Sequence, residues 1–496
     1  MTELLSTNAA GGDAEVASLP PGRRVPSMIV WLLLTVIAAA CGVILLADLD
    51  GQSIGIITLV LMILLLVVGV PIGFAMIGSS IVGLFAIAGE RAATASTSAI
   101  VYDSVASWTL NVVPLFVLMG VAMWKGGVTG RAYATARQWT NWLPGGLAVA
   151  TNFSGAALAT SSGSTMGITF ALSRMSLPEM LSVGYKPSLA TGSVTMAGTL
   201  GQIIPPSILL VIYAGVVSVP VGPQLLAGIV PGIILAVGFA ATIIIWVVLD
   251  PSAAPRANSD DITWRSRFAS LPALIPLLLV MATVIGGMFF GIFTASEAAA
   301  LGALVALVVS WFMLGRGQRG PRATAVYLRD SVLETVTSIA GLFIILIGAA
   351  MLTRVLALSG VARAITQKLL DLDLARVELL LILVVVYIVL GMFLESLPMI
   401  LLTVPLLQPP LEAMGVDMIW FGIFIVIMCE IGMVFPPIGM LVFIVHRLAQ
   451  NPAVSRGVPV SLGDVYRGVM PFVALTILVT VAFIIWPDIV MWLPNR

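Results

Sequence analysis

Charge is scarce in this sequence. Asp, Glu, Lys and Arg make up 9% of the 496 residues, against about 25% in a soluble globular protein. The 23 acidic and 23 basic residues cancel, and that balance gives no support to nucleic-acid binding. There is one histidine, His446, and there are two cysteines, Cys41 and Cys429. Two cysteines in apolar runs exclude a disulfide framework and a Cys-rich metal site, and read as small buried hydrophobes. A lone histidine leaves no His-based metal cluster and argues against a Ser/His triad within this chain. No G-x-x-x-x-G-K-[ST] occurs, so no P-loop hydrolyses ATP here. A Gly-x-Ser-x-Gly elbow is also missing, which argues against an intramembrane protease. What remains is apolar: 60% of the residues are hydrophobic. A soluble chain of this length cannot hide that much apolar surface, so the expected solvent is the bilayer.

A helix crosses the hydrocarbon with about 20 apolar residues. Such runs lie near 28–48, 53–70, 72–89, 108–124, 188–215, 223–249, 269–290, 294–314, 331–357, 418–445 and 465–486. Residues 1–27 are polar and read as a disordered cytoplasmic tail, and Arg23 and Arg24 precede a first span better read as a retained anchor than as a signal peptide. Two further apolar segments are broken: 143–175 at Ser161-Ser162-Gly163-Ser164, and 377–413 at Glu395-Ser396-Leu397-Pro398. Each half is too short to cross alone, so each segment reads as a re-entrant hairpin. Irregular backbone at that depth is tolerated only if packed in protein or lining a wet cavity. With the N-terminus cytoplasmic and both hairpins re-entrant, most Lys and Arg fall inside. The first hairpin then enters from the cytoplasm and the second from the periplasm.

The chain also repeats itself. Leu200-Gly201-Gln202-Ile203-Ile204-Pro205-Pro206 matches Ile431-Gly432-Met433-Val434-Phe435-Pro436-Pro437 as apolar-Gly-x-x-x-Pro-Pro. Gly127-Val128 with Arg131 echoes Gly360-Val361 with Arg363, and each hairpin break stands at nearly the same distance before its Gly-x-x-x-Pro-Pro. The copies enter from opposite sides, which makes them inverted repeats, an architecture whose discontinuous helices supply substrate and ion sites. Proline removes a backbone donor and glycine relaxes the backbone. The unwound turn frees carbonyl oxygens suited to a hard cation, and half-helix N-termini offer N–H groups to an anion. The competing account, in which the prolines only kink packed helices, suits a lone proline better than two matching breaks.

Charged residues inside the membrane are functional candidates. Glu395 and Glu430 sit at the second hairpin and its partner break, where a carboxylate either coordinates a cation or accepts N–H bonds from an unwound turn. Thr294-x-x-Glu297 reads as a capping box. Arg174, Arg354 and His446 read as interface residues, and Lys125, Arg131 and Arg137 with Trp124, Trp139 and Trp142 read as an interfacial belt and amphipathic arm.

Several stretches resemble the large membrane subunit of tripartite ATP-independent periplasmic (TRAP) transporters: Ser162-Gly163-Ser164-Thr165, Leu177-Pro178-Glu179-Met180, Gly198 to Ser207, Thr294 to Ala300, Phe393-Leu394-Glu395-Ser396, Trp420-Phe421-Gly422, and Glu430-Ile431-Gly432 with Pro436-Pro437-Ile438-Gly439. The likeness runs from about 55 to 486. It implies an all-α polytopic protein of the bacterial inner membrane, with inverted-topology repeats, two re-entrant helical hairpins and two broken helices, acting as an elevator-type transporter and not as an enzyme. The implied function is sodium-coupled import of small organic anions, carboxylates above all. The implied partners are a small four-helix membrane subunit and a periplasmic substrate-binding protein, with Na+ as coupling ion and no organic cofactor.

By position, the resemblance places one sodium site at Ser161 to Thr165, Ser164 included, with Thr199, Gly201 and Pro205. A second comprises Glu395, Ser396 and Pro398 with Glu430, Gly432 and Pro436. Substrate lies between the tips, at Ser162, Gly163, Ser164, Thr165, Ser396 and Pro398. The family's usual tip resembles Thr-Gly-Ser-Ser, and Thr160 to Thr165 here carries an additional small residue. The 28–52 segment is an extra N-terminal helix. With no room for four helices before it, the small subunit is expected as a separate chain. The repeats are expected at 53–268 and 269–486, with a short tail at 487–496. The alternative is a self-sufficient ion-coupled carboxylate or sodium/proton carrier of the same inverted-repeat build.

Overall fold

The structure is a computed structural model that describes residues 35–36, 38–39, 41–44, 49–107, 109–255, 263–314 and 320–496. The expected tail at 1–27 lies outside them, as does most of the expected span at 28–48, whose described residues are helical. Every regular element among the described residues is a helix.

The two halves run through the same order of elements. The first opens with Gly51–Val67, Ile72–Val105 and Val112–Lys125, continues into an arm, Val128–Thr140, and then forms the first hairpin from Gly146–Ser162 and Thr165–Met175. A short helix, Leu177–Ser182, leads to the first broken helix, Pro187–Ile203 and Ile208–Val217, and then to Val221–Ala227 and Ile229–Leu249. The second half runs through Trp264–Phe289, Ala295–Met313, Pro321–Ser359 and an arm, Val361–Asp371. Its hairpin is Arg376–Gly391 and Ser396–Ala413, its broken helix Met418–Gly432 and Met440–Ala449, and its last long helix Leu462–Ile485. The glycines that the sequence repeat pairs do the same work in both halves. Gly127 (φ 71°) and Gly360 (φ 78°) are both left-handed and release the chain into its arm. The first arm turns 66° from the helix before it.

Among the described residues, six helices are long and apolar enough to cross a membrane, or up to eight if two bent pairs each count as one span. Val237, Ile245, Val248, Leu278, Val336 and Leu478 are more than half exposed on such helices. That surface would aggregate in water and faces lipid in a bilayer. Two expected spans prove longer. The run at 72–89 continues past Gly89, which is non-helical (φ 73°, ψ 169°), to Val105. The run at 331–357 lies within the 39-residue helix Pro321–Ser359.

Helices meet backbone to backbone where small residues allow it. A Cβ on Gly348 would stand 2.7 Å from the Gly73 carbonyl oxygen, so Ile72–Val105 and Pro321–Ser359 cross at these glycines. Gly192 of the first broken helix and Gly468 of Leu462–Ile485 abut so closely that a methyl on either would overlap the other's backbone. Ion pairs tie helix ends to their neighbours: Lys186 Nζ lies 2.6 Å from Asp250, Arg137 2.8 Å from Glu179, and Lys125 2.9 Å from Glu334, which lies inside Pro321–Ser359. Hydrogen bonds from Lys186 and then Ser252 hold the Asp250 carboxyl below its usual range. The capping box forms: Thr294 Oγ1 accepts the Glu297 N–H, and Glu297 accepts the Thr294 N–H at 2.8 Å. Arg174 lies over the Phe170 ring, 4.4 Å from its centroid.

Candidate functional site

The two hairpin tips meet at a buried carboxylate, and each tip packs on the helix break of its own half. At the first tip, Gly163 takes the left-handed conformation (φ 55°) that ends Gly146–Ser162. Ser164 then starts the return helix, its Oγ accepting the Gly167 N–H at 3.3 Å. The tip packs on the first break: a Cβ on Gly163 would lie 3.3 Å from both the Ile208 nitrogen and the Pro206 carbonyl oxygen. A Cβ on Gly201 would lie 3.4 Å from the Ser164 carbonyl carbon. Beyond the break, Ser207 Oγ accepts the Leu210 N–H at 3.2 Å and restarts the helix.

The second tip repeats the plan with different contacts. Residues 392–395 break the hairpin, and Glu395 precedes the return helix without a side-chain cap bond. Gly391 and Gly432 meet backbone to backbone: a Cβ on Gly432 would lie 2.5 Å from the Gly391 Cα. In both motifs the Pro-Pro bond, Pro205-Pro206 and Pro436-Pro437, is cis. The Tyr466 hydroxyl donates to the Pro437 carbonyl at 2.7 Å and lies 3.2 Å from that of Ile438.

Glu430 joins the two tips. Its side chain is buried. The Thr165 hydroxyl of the first hairpin donates to Oε2 at 2.8 Å, and the Ser396 hydroxyl of the second donates to Oε1 at 3.4 Å. None of the ion pairs between described residues includes Glu430.

The expected site residues therefore separate into groups. Thr165, Ser396 and Glu430 come together in direct contact. Gly163, Ser164, Gly201 and Pro205 line the first tip and break, while Pro398 and Gly432 are buried at the second and Pro436 is half-buried there. Thr199 is buried, and its hydroxyl donates to the Met196 carbonyl at 2.7 Å within its own helix. Glu395 is exposed at the tip whose Ser396 is buried. The side chains of Ser161 and Ser162 lie outside the described residues. Sequence reasoning missed Gly391, the backbone partner of Gly432, and the pairing of Thr165 with Glu430. Gly391 carried a local signal, a small residue just ahead of the break. The Thr165–Glu430 pair spans 265 positions and carried none.

The donor set suits a hard cation: hydroxyls, one carboxylate and the carbonyls of unwound turns are all oxygen. Among the described residues there is no group of three His, Cys, Asp or Glu side chains that could hold a metal ion. A cation here would rest mainly on hydroxyl and backbone oxygens.

Paired hairpins facing paired broken helices within an all-helical, lipid-facing chain define a multi-pass membrane permease. Residues 59–489 match the family model of the tripartite ATP-independent periplasmic transporter, DctM component, and the chain belongs to that family. It is 30% identical over 396 residues to the C4-dicarboxylate TRAP transporter large permease protein DctM of Pseudomonas aeruginosa, covering 79% of this chain and 88% of that one. It is 27% identical over 432 residues to the sialic acid TRAP transporter large permease protein SiaM of Vibrio cholerae serotype O1, covering 87% and 96%. In three dimensions it is similar to the crystal structure of the Alcanivorax borkumensis YdaH transporter. The TM-score is 0.56 at 14% identity, over 81% of this chain and 89% of that one, a likeness of fold. The named relatives are transporters, as the sequence led us to expect, and not enzymes.

Proposed function

We propose that the chain is the large permease subunit of a sodium-coupled importer of small organic anions. In this reading a mobile body built of the hairpins and broken helices carries substrate past a static one built around Ile72–Val105 and Pro321–Ser359. A periplasmic binding protein delivers the substrate, a small four-helix membrane subunit braces the static body, and the N-terminus is cytoplasmic. The observation that carries the reading is the meeting of both tips at Glu430, each packed on the break of its own half. One place then holds oxygen ligands for a cation and, at the starts of Thr165–Met175, Ile208–Val217 and Ser396–Ala413, free N–H groups for a carboxylate. The relatives' names include C4-dicarboxylates, sialic acid and isethionate, a sulfonate. What these substrates share is an anionic group on a small organic molecule, most often a carboxylate, and that is the substrate class we assign.

The test is uptake into vesicles across a sodium series, with a small subunit and a loaded binding protein supplied. Uptake should rise with sodium and fail when choline replaces it. Uptake driven equally well in choline by a proton gradient would remove the sodium sites. Full-rate uptake by the isolated chain would favour the self-sufficient carrier. Cysteine labelling checks the topology: 125–142 and 174–187 should label from the cytoplasm, 358–376 and 414–417 from the periplasm.

A further inference from the structure

We propose that Glu430 is a clasp that couples the two hairpin tips, so that opening one loosens the other. The inference rests on the functional reading for its purpose, but its geometry stands apart from sodium. Glu430 belongs to neither hairpin. It sits two residues before Gly432, at the C-terminal end of Met418–Gly432, and each oxygen of its carboxylate takes a hydroxyl from a different tip. All three side chains are at most 4% exposed, so water does not substitute for either hydroxyl. The carboxylate has no cationic partner among the ion pairs of the described residues, and the two hydroxyls are its recorded side-chain donors. A buried carboxylate that loses one of two donors is left undersatisfied and must move or find water. The two oxygens share one rigid plane, so a turn that follows one tip pulls the other oxygen off its donor. Groups that share a hydrogen-bonding partner are energetically coupled.

Among the described residues, no other side-chain hydrogen bond links one tip to the other through a shared group. The first tip also packs on Gly201, Pro206 and Ile208. The second is held by the Gly391–Gly432 approach, by Ser396 Oγ 3.5 Å from Met433 Sδ and by the Cys429 thiol 3.8 Å from the Ser396 carbonyl oxygen. These contacts stay within their own repeats; the Thr165–Glu430 bond crosses between repeats. In the proposed cycle the clasp would keep either tip from opening while the other stays closed and unaware of it.

The test is hydrogen–deuterium exchange of the full-length chain in nanodiscs, in sodium-free choline buffer and without substrate. Its outcome is then independent of whether sodium drives uptake. Thr165→Val should speed exchange in residues 392–399 of the opposite hairpin, and Ser396→Ala should speed it in residues 161–168. The increase should be roughly five-fold, the effect of one net hydrogen bond on a local opening equilibrium. Ser396→Ala should act more weakly, because its bond is the longer. Thr165→Ser, which keeps the hydroxyl, should retain the original protection. In a Glu430→Gln background Thr165→Val should add nothing at 392–399. Faster exchange confined to the substituted hairpin would overturn the clasp. So would a Thr165→Ser variant that behaves like Thr165→Val, or a remote effect that persists without the carboxylate.

Discussion

Around the first break, Pro205, Pro206 and Ser207 are all buried, roofed by the Gly163 tip and capped by Ser207. Around the second, Pro437 and Ile438 are exposed and their carbonyls lean on the Tyr466 hydroxyl. The two motifs share a spacing and a cis bond but not a setting. The glycines differ in the same sense. A methyl on Gly201 would meet the end of a flexible side chain, Ile168 Cδ1 at 2.5 Å. A methyl on Gly432 would meet backbone: Gly391 Cα at 2.5 Å and the Tyr387 carbonyl oxygen at 3.2 Å. A duplicated motif thus fixes the local bend, while the neighbours decide what each copy tolerates. The first copy is covered and soft at its glycine. The second is open on one side and rigid at its glycine.

The sharpest way to break this comparison is to place the same methyl on both glycines. Gly432→Ala should destabilise by about 3 kcal/mol or more, since backbone cannot step aside, at the upper end of what overpacking costs. Gly201→Ala should cost about 1 kcal/mol or less, because Ile168 can change rotamer. Thermal unfolding of the purified chain reads both, and equal losses would show that the two settings are mechanically alike.

A second contrast concerns the oxygens. In the proposed sodium-driven uptake, Glu430→Gln should raise the sodium needed for half-maximal rate about ten-fold, the equivalent of about 1.4 kcal/mol. Thr199→Val should shift it less, because it removes one neutral oxygen where Glu430→Gln removes a charge; the Thr199 proton goes to the Met196 carbonyl and leaves the oxygen lone pairs for a cation. A larger effect at Thr199 would move the weight of the cation site to the first break.

The smallest effect is expected at the arms. Arg137 of the first arm pairs with Glu179, but its side chain is half exposed (50%). Arg137→Ala should change stability by about 1 kcal/mol or less and leave uptake nearly intact, as exposed ion pairs do. A large loss of uptake at unchanged stability would make the arm part of the moving machinery.

Much of this fold was legible because its signals are local. Both hairpin breaks, the paired Gly-x-x-x-Pro-Pro turns and the arm glycines Gly127 and Gly360 announce themselves by residues that a helix cannot use in its interior. The continuation from Gly89 to Val105 was not legible as part of a span. Its sequence is too polar for a hydropathy reading, yet rich enough in alanine to stay helical. At the site, the residue types were readable and the pairings were not. Glu395 and Glu430 looked equivalent on paper because both stand beside a break. One lies at the surface of the tip and the other is buried between hydroxyls, a distinction set by packing across the two repeats.

The approach of Gly192 to Gly468 has a consequence for heat. Where two helices touch through their main chains, no side chain stands between them that could change rotamer as temperature rises. A joint made this way does not soften gradually with warming; it stays shut or separates as a whole. In the proposed cycle, where one body slides against another, such a seam would confine thermal play to the sliding surface. Transport should therefore gain speed on warming without its interior loosening, until the seam parts and activity ends abruptly.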